Sequence, residues 1–123
     1  MNQLNSIILE GNVVADATLT NPISNFTVGK FAIAVNRTSR NPQGETVEEV
    51  SYFDVECYGE MAEKVEKYAK KGQGVRIVGR LKQSRYEENG VKHSRIYLIA
   101  EHIEYKFRKA NPEPKEEKQA VNF

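Results

Sequence analysis

The sequence predicts an all-β domain with a single helix. Five segments alternate apolar and polar residues, which is the pattern of strands with one buried face. A sixth segment, between the third and fourth of these, repeats apolar residues at helical spacing. Glycines inside the first two strand segments predict bends. Three strands, a helix and two strands fit a five-stranded Greek-key barrel of the OB type, whereas ferredoxin-like folds need two helices and doubly wound sheets need alternating ones.

The first half of the chain supplies three of these strands. The first covers residues 4–15, and Asn, Pro and Ser residues at 16–25 predict a loop after it. The second strand covers residues 26–36. Residues 37–49 are polar and contain Asn-Pro and a glycine, so they predict a long hairpin connection or a protruding arm. The third strand is "VSYFDVECY", residues 50–58.

The second half supplies the helix and the last two strands. Acids begin and lysines end the segment 60–71, as the helix dipole favours, and Gly72 predicts the end of the helix. The fourth strand covers residues 74–86 and the fifth covers residues 91–106, with "EENG" as the turn between them. The residues of the fourth strand that are expected to face the core are Val75, Ile77, Gly79 and Leu81.

The composition is that of an ordinary globular chain. With 123 residues, of which 39% are hydrophobic and 28% are charged, the chain predicts one domain around one core. Cys57 is the single cysteine, so neither an intramolecular disulfide nor a Cys-based zinc site is expected. The sequence has no basic leader and no apolar run of roughly 20 residues, and with the lone thiol this predicts a cytoplasmic protein.

The net charge of +1 conceals an uneven distribution of charges. The segment from Gly74 to Tyr86 carries four bases and no acids. Three of these bases have the same strand parity as Tyr86, opposite the apolar set, so the fourth strand displays cations and ends in an aromatic ring. The four bases are Arg76, Arg80, Lys82 and Arg85.

Two further tyrosines lie opposite the apolar face of the third strand. Phe53, Val55 and Cys57 are expected to face the core, so Tyr52 and Tyr58 face outward. Exposed rings beside exposed bases are typical of sites for single-stranded nucleic acid, because rings stack on nucleobases and cations hold phosphates. Solvated strand positions filled by tyrosine for its strand propensity would give the same pattern. The residues alone leave both interpretations open.

No set of residues predicts catalysis or a metal site. "GQG" at residues 72–74 follows a helix and precedes a strand, which is the reverse of the order in a phosphate-binding loop. His93 and His102 have no cysteine or carboxylate at metal-ligand spacing, so no metal is expected. Without a nucleophile motif or a pair of carboxylates in an apolar setting, we expect neither an enzyme nor a cofactor.

From about Asn5 to Tyr105 the chain resembles the bacterial single-stranded DNA-binding protein family. The resemblance is carried by "NSIILEGNVVADA", "FAIAVNRT", "YFDVECYGEMAEKVEKYAKKGQGVRIVGRL" and "SRYEENGVKHSRIYLIAE". It implies an OB-fold homotetramer that binds single-stranded DNA without sequence preference in DNA replication, repair and recombination. It also implies a non-catalytic protein in the cytoplasm, associated with the nucleoid.

The resemblance assigns stacking roles to particular aromatic residues. The stacking positions of the family fall on Tyr52, Tyr58 and Tyr86 of this sequence. A fourth family aromatic falls at the start of the arm, where this chain has Ser39 and Arg40. One stacking platform is therefore missing, or is replaced by stacking of the Arg40 guanidinium.

The predicted phosphate contacts combine the resemblance with the pattern of exposed bases. The resemblance places phosphate-contacting residues at Lys71 and Arg85, and the arm and the fourth strand add further cations. Glu60 departs from the family, which often has lysine at that position. The full predicted set is Arg37, Arg40, Lys71, Arg76, Arg80, Lys82 and Arg85.

The two ends of the chain predict contacts with other proteins. Residues 107–123 are charged and contain two prolines, so a flexible tail is expected after a domain of residues 1–106. Family tails end in an acidic tip with a terminal phenylalanine that recruits replication and repair proteins. Phe123 keeps the terminal ring, although few acids precede it. In the family the N-terminal strand is one of the edges used for tetramer formation.

Four other functions are compatible with the same predicted fold. A replication-restart accessory protein or an RNA-binding module would also use an OB barrel with exposed rings. An assembly or adaptor protein would bind another protein on this face, but the acid-free segment from Gly74 to Tyr86 favours nucleic acid. A small hydrolase is the least favoured, because no residue set supports it.

Overall fold

The computed structural model describes residues 1–23 and 26–106, which form six strands and one helix. The predicted tail at 107–123, including Phe123, lies outside the described residues. No helix within the described ranges has the length and apolar character needed to cross a bilayer. The elements are β1 (Ile7–Val13), β2 (Thr18–Ile23), β3 (Phe26–Arg40), β4 (Thr46–Tyr58), α1 (Glu60–Tyr68), β5 (Gly74–Glu88) and β6 (Val91–Lys106).

One sheet contains all six strands in the order β1-β5-β6-β4-β3-β2. Pairing of β1 with β3 at Asn12 and Val13 closes β1, β3, β4, β5 and β6 into a barrel. The strands pair antiparallel except for β4 and β6, which are parallel where Glu56 lies beside Ile99. The helix connects β4 to β5. The predicted five-stranded OB barrel with one helix is therefore confirmed.

The strand β2 is an addition to the predicted order. The sequence predicts a loop at residues 16–25, but Thr18–Ile23 pairs antiparallel with the start of β3. Thr18 pairs with Lys30 and Thr20 pairs with Val28. Threonine is common in strands, and this segment adds a sixth strand to the sheet outside the barrel. The strand β2 lies at the end of the strand order, and edge strands tolerate a proline.

Two glycines permit the close approach of strands that the barrel requires. A Cβ atom on Gly11 would overlap the carbonyl oxygen of Ala34, at the point where β1 passes from β5 to β3. A Cβ atom on Gly79 would overlap the carbonyl oxygen of Ile99, next to the register shift between β5 and β6. Both positions therefore exclude any larger side chain unless the backbone moves.

The core lies inside the barrel and under α1. The helix buries Ala62 and Val65, while Ala69 follows its last turn and is also buried. Cys57 is fully buried, and this burial raises the pKa of its thiol to about 11. The largest side chains that are almost completely inaccessible are Ile33, Val55, Val65, Val75, Ile77 and Leu98.

Two details of the predicted elements are wrong. The helix ends at Tyr68, short of the predicted lysines, and the chain then turns through Gly72 at a φ of 90°. Leu81 was expected to face the core but is 43% exposed. At this point β5 has left the barrel, so its apolar face has no opposing layer, although Leu98 beside it on β6 is buried.

Two hairpin arms extend beyond the barrel. We define the first arm as residues 36–52 of β3 and β4 with their turn, and the second arm as residues 80–96 of β5 and β6 with their turn. None of the residues in either arm is buried. The arms are therefore held mainly by backbone pairing, and their side chains are available for contacts with other molecules.

Candidate nucleic-acid interface

The register of the sheet brings several predicted site residues to one face. We define the outer face as the side of β3, β4, β5 and β6 that is opposite the core. Directly paired residues share a face, so Tyr52 lies beside Ala34 and Tyr86 lies beside His93. The parallel pair Glu56 and Ile99 links the rows of β4 and β6. The main rows of the outer face are Lys30, Ala32 and Ala34 on β3; Tyr52, Asp54, Glu56 and Tyr58 on β4; His93, Arg95, Tyr97 and Ile99 on β6; and Arg80, Lys82, Ser84 and Tyr86 on β5.

The three predicted stacking tyrosines all lie on the outer face. Tyr52 is 67% exposed and Tyr86 is 51% exposed, so their rings are accessible to a flat ligand. Tyr52 belongs to the first arm and Tyr86 to the second arm, while Tyr58 lies at the barrel end of β4. With a rise of about 3.4 Å per residue, the six residue steps from Tyr52 to Tyr58 alone span about 20 Å. The face is long enough for several nucleotides.

Tyr58 differs from the other two tyrosines because it is half-buried. Its ring stacks on Phe26, with 5.5 Å between centroids and 19° between planes. Its hydroxyl lies 3.4 Å from Oε1 of Glu56. Burial raises the pKa of Tyr58, and the negative charge of Glu56 raises it further. Phe26 is 41% exposed, so its ring extends this platform. Phe26 was not among the site residues predicted from the sequence.

Three of the predicted phosphate contacts lie on the outer face within or beside the arms. Arg80 makes an ion pair with Glu101, at 3.3 Å from Nη1 to Oε2. Arg40 donates a hydrogen bond from Nη1 to the carbonyl oxygen of Gly44, in the turn of the first arm. Lys82 makes no ion pair with any of the described residues. Arg80 and Lys82 lie on the β5 row that carries Tyr86, whereas Arg40 lies near the turn of the first arm, opposite Thr46.

The other four predicted contacts lie apart from this group. Arg37 and Arg85 have the opposite strand parity, so they leave the sheet on the side away from the tyrosines. Arg76 has the right parity but is already bound by Glu10 at 2.7 Å and Glu104 at 3.4 Å. Lys71 lies in the turn before β5, at the opposite end of that strand from Tyr86.

The residues of β6 are part of the outer face, and the sequence analysis missed them. Arg95 lies over the ring of Tyr97, with 4.4 Å from Cζ to the centroid. Its guanidinium is also held by Asp54 at 3.7 Å and Glu56 at 3.4 Å. The alternation in "HSRIY" would have shown that three of these five residues share one face. Only the pairing with β4 and β5 shows which face it is.

Acids occupy the centre of the outer face as well as cations. Glu56 is charged and buried, whereas Asp54, two residues before it on the same row of β4, is exposed. Their contacts with Arg95 neutralise part of this negative charge. No group of three or more His, Cys, Asp or Glu side chains among residues 1–23 and 26–106 is arranged to hold a metal ion.

The closed barrel with a helix before β5 defines an OB-fold protein, and its outer face carries exposed rings and cations. Residues 4–106 match the model of the single-strand binding protein family. The chain belongs to this family, which confirms the resemblance seen in the sequence.

Relatives in bacteria support the same assignment. A single-stranded DNA-binding protein of Aquifex aeolicus is 38% identical over 81% of this chain and 68% of its own length. A single-stranded DNA-binding protein of Treponema pallidum is 32% identical over 85% of this chain and 58% of its own length. The chain thus spans between about half and two thirds of the length of these relatives.

Solved structures share the fold. A Plasmodium falciparum SSB complex with ssDNA has a TM-score of 0.79 at 20% identity, covering 85% of this chain and 96% of that chain. A deletion mutant of the single-stranded DNA binding protein from Thermus aquaticus has a TM-score of 0.75 at 25% identity. That match covers 83% of this chain and 50% of the other.

Proposed function

We propose that this protein binds single-stranded DNA on its outer face without sequence preference and protects it. The observation that carries this proposal is the placement of Tyr52, Tyr58 and Tyr86 on one side of an OB barrel of the single-strand binding family. Stacking of a nucleobase on an aromatic ring contributes about 1–3 kcal/mol and accepts any base, because every base has a π-face. The proposed mechanism is binding alone, without a catalytic step.

The cations on the outer face hold the phosphates that link the stacked bases. Lys82 and Arg80 lie on the same row of β5 as Tyr86, and Arg40 lies in the first arm. Each phosphate contact with a single strand releases counterions and lowers the slope of log K against log salt by about 0.7. Arg37, Lys71 and Arg85 are proposed contacts that require the DNA to continue beyond the outer face, and contact with Arg76 requires the DNA to compete with Glu10 and Glu104.

Binding of single-stranded and duplex DNA of equal length, at several salt concentrations, tests this function. The chain has no tryptophan, so its intrinsic fluorescence comes from six tyrosines, three of which are the proposed platforms. We expect oligo-dT to quench this emission and duplex DNA to bind weakly, because duplex bases are already stacked on each other. Unchanged emission at saturating oligo-dT would contradict stacking, and equal affinity for the duplex would contradict the proposed specificity.

The same surface supports a second candidate, an RNA-binding module or a replication-restart accessory protein. Stacking rings accept RNA bases as well as DNA bases, because both kinds of base have a π-face. A competition between oligo-dT and oligo-U separates the RNA case from the DNA case. An adaptor protein would instead bind neither oligonucleotide.

We also propose that the chain acts as a homotetramer in replication, repair and recombination, in the cytoplasm and associated with the nucleoid. Support for assembly comes from β1, where the side chain of Ile8 is 64% exposed. At residues 7–11 the edge of β1 that faces away from β5 pairs with no other strand of the described chain. Mass measurement by light scattering, with and without oligo-dT, tests the tetramer. Recruitment of replication and repair proteins through the tail ending at Phe123 is tested by deleting residues 107–123 and measuring DNA binding and partner capture separately.

A further inference from the structure

The second arm carries two stacked rings rather than one. Tyr86 and His93 are direct cross-strand partners, with 5.1 Å between ring centroids and 20° between ring planes. Both rings are exposed, and no hydrogen bond or ion pair joins the side chain of His93 to another residue in the described part of the chain. A stacked pair of exposed rings leaves one outward π-face on each member.

The strand order determines where these two faces point. The strand β6 lies between β5 and β4, so His93 lies between Tyr86 and the β4 row that carries Tyr52. The face of His93 that is remote from Tyr86 therefore points toward the gap between the two arms. A single strand that reaches from Tyr52 to Tyr86 must cross β6 at the level of His93 and Arg95.

The ring pair lies beside cations of the outer face. Arg95 follows His93 on the β6 row, and Lys82 lies on the β5 row that carries Tyr86. A hollow of about 590 Å³ at the end of the second arm is lined by both rings, but its other lining residues have the strand parity of the opposite side of the arm. The cations available to a nucleotide stacked on the rings are therefore those of the outer face.

We propose that His93 is a nucleobase-stacking residue, which binds a base on its face toward β4. This inference rests on the proposed single-stranded DNA binding and extends it to β6. It gives the second arm two platforms, which offsets the family aromatic that is missing at Ser39 and Arg40. The base contact needs the aromatic ring of His93 and does not need its nitrogen atoms.

Variants of His93 test the proposal by oligo-dT binding. We expect H93A and H93Q to weaken binding by at least about fivefold, and H93F to bind within about twofold of wild type, because the phenylalanine ring restores stacking. The control is I96A, which removes an exposed apolar side chain from the other face of the same strand and should leave the affinity unchanged. Two ring-removing variants are used so that a folding defect in one does not decide the result.

A double-substitution experiment separates direct contact from support of Tyr86. If His93 binds a base itself, H93A still weakens binding when Tyr86 has already been replaced by alanine. If H93A has no effect in that background, His93 only orients Tyr86 and the proposal is overturned. If wild type binds oligo-dT and both H93A and H93Q bind equally well, this inference fails alone. If wild type does not bind, the proposed function fails with it.

Discussion

The closed barrel and the two arms belong to the same strands but differ in what holds their side chains. In the barrel, β5 alternates buried residues such as Val75 and Ile77 with outward ones. In the second arm the same strand continues from residue 80 without a single buried side chain, and the first arm shows the same change. The barrel sequence is therefore constrained by packing, whereas the arm sequence is free to be determined by binding.

Replacing an isoleucine in each region tests this comparison most strongly. Ile77 in the barrel is fully buried, and we expect I77A to lower the free energy of unfolding by about 2–5 kcal/mol. Ile96 in the second arm is 63% exposed, and I96A should change this free energy by less than about 0.5 kcal/mol. Urea unfolding followed by circular dichroism measures both values. Similar losses in the two variants would show that the arms are packed in solution.

Replacing a tyrosine in each arm should have the reverse effect, on binding rather than on folding. We expect Y52A and Y86A to weaken oligo-dT binding by about 1–3 kcal/mol each, because each removes one stacking platform. Both side chains are more than half exposed, so the free energy of unfolding should stay close to the wild-type value. The matched controls are Y52F and Y86F, which keep the ring and should keep the affinity. A variant that lacks the ring but binds normally would remove that tyrosine from the interface.

Removing an acid from the outer face should strengthen binding. Asp54 and Glu56 hold the Arg95 guanidinium over Tyr97 and repel an approaching phosphate. We expect D54N to increase affinity for oligo-dT by about 0.2–1 kcal/mol, the range for a single exposed charge pair. E63Q removes one exposed acid from α1, away from the outer face, and is the control. Weaker binding by D54N would mean that Arg95 needs this carboxylate to stay in a productive position.

The sequence predicted the features that depend on local periodicity. Alternation along β4 was sufficient to place Tyr52 and Tyr58 opposite Val55 and Cys57, because neighbouring side chains on a strand point to opposite faces. The spacing of apolar residues was likewise sufficient to predict the helix. The exposure of Leu81 could not be predicted from the strand pattern, because it depends on where along β5 the barrel ends.

The features that the sequence analysis missed depend on pairing between distant segments. Arg95 contacts Asp54 and Glu56 only because β4 and β6, about forty residues apart in sequence, pair in parallel. The ring pair of Tyr86 and His93 likewise depends on the register of the second arm. A single sequence contains no signal for either contact, so cations and rings were chosen by residue type and parity along each strand alone.

The smallest effect is expected when two cations on the same row of β5 are compared, one in the second arm and one in the barrel. Lys82 has no ion pair among the described residues, whereas Arg76 is bound by Glu10 and Glu104. We expect K82Q to reduce the magnitude of the salt slope of oligo-dT binding by about 0.7, the value for one lost phosphate contact. R76Q should change the slope less, since the positive charge of Arg76 is already neutralised within the barrel. Equal slopes for the two variants would mean that DNA displaces Glu10 and Glu104 from Arg76, and the interface would then extend from the arms along the whole of β5.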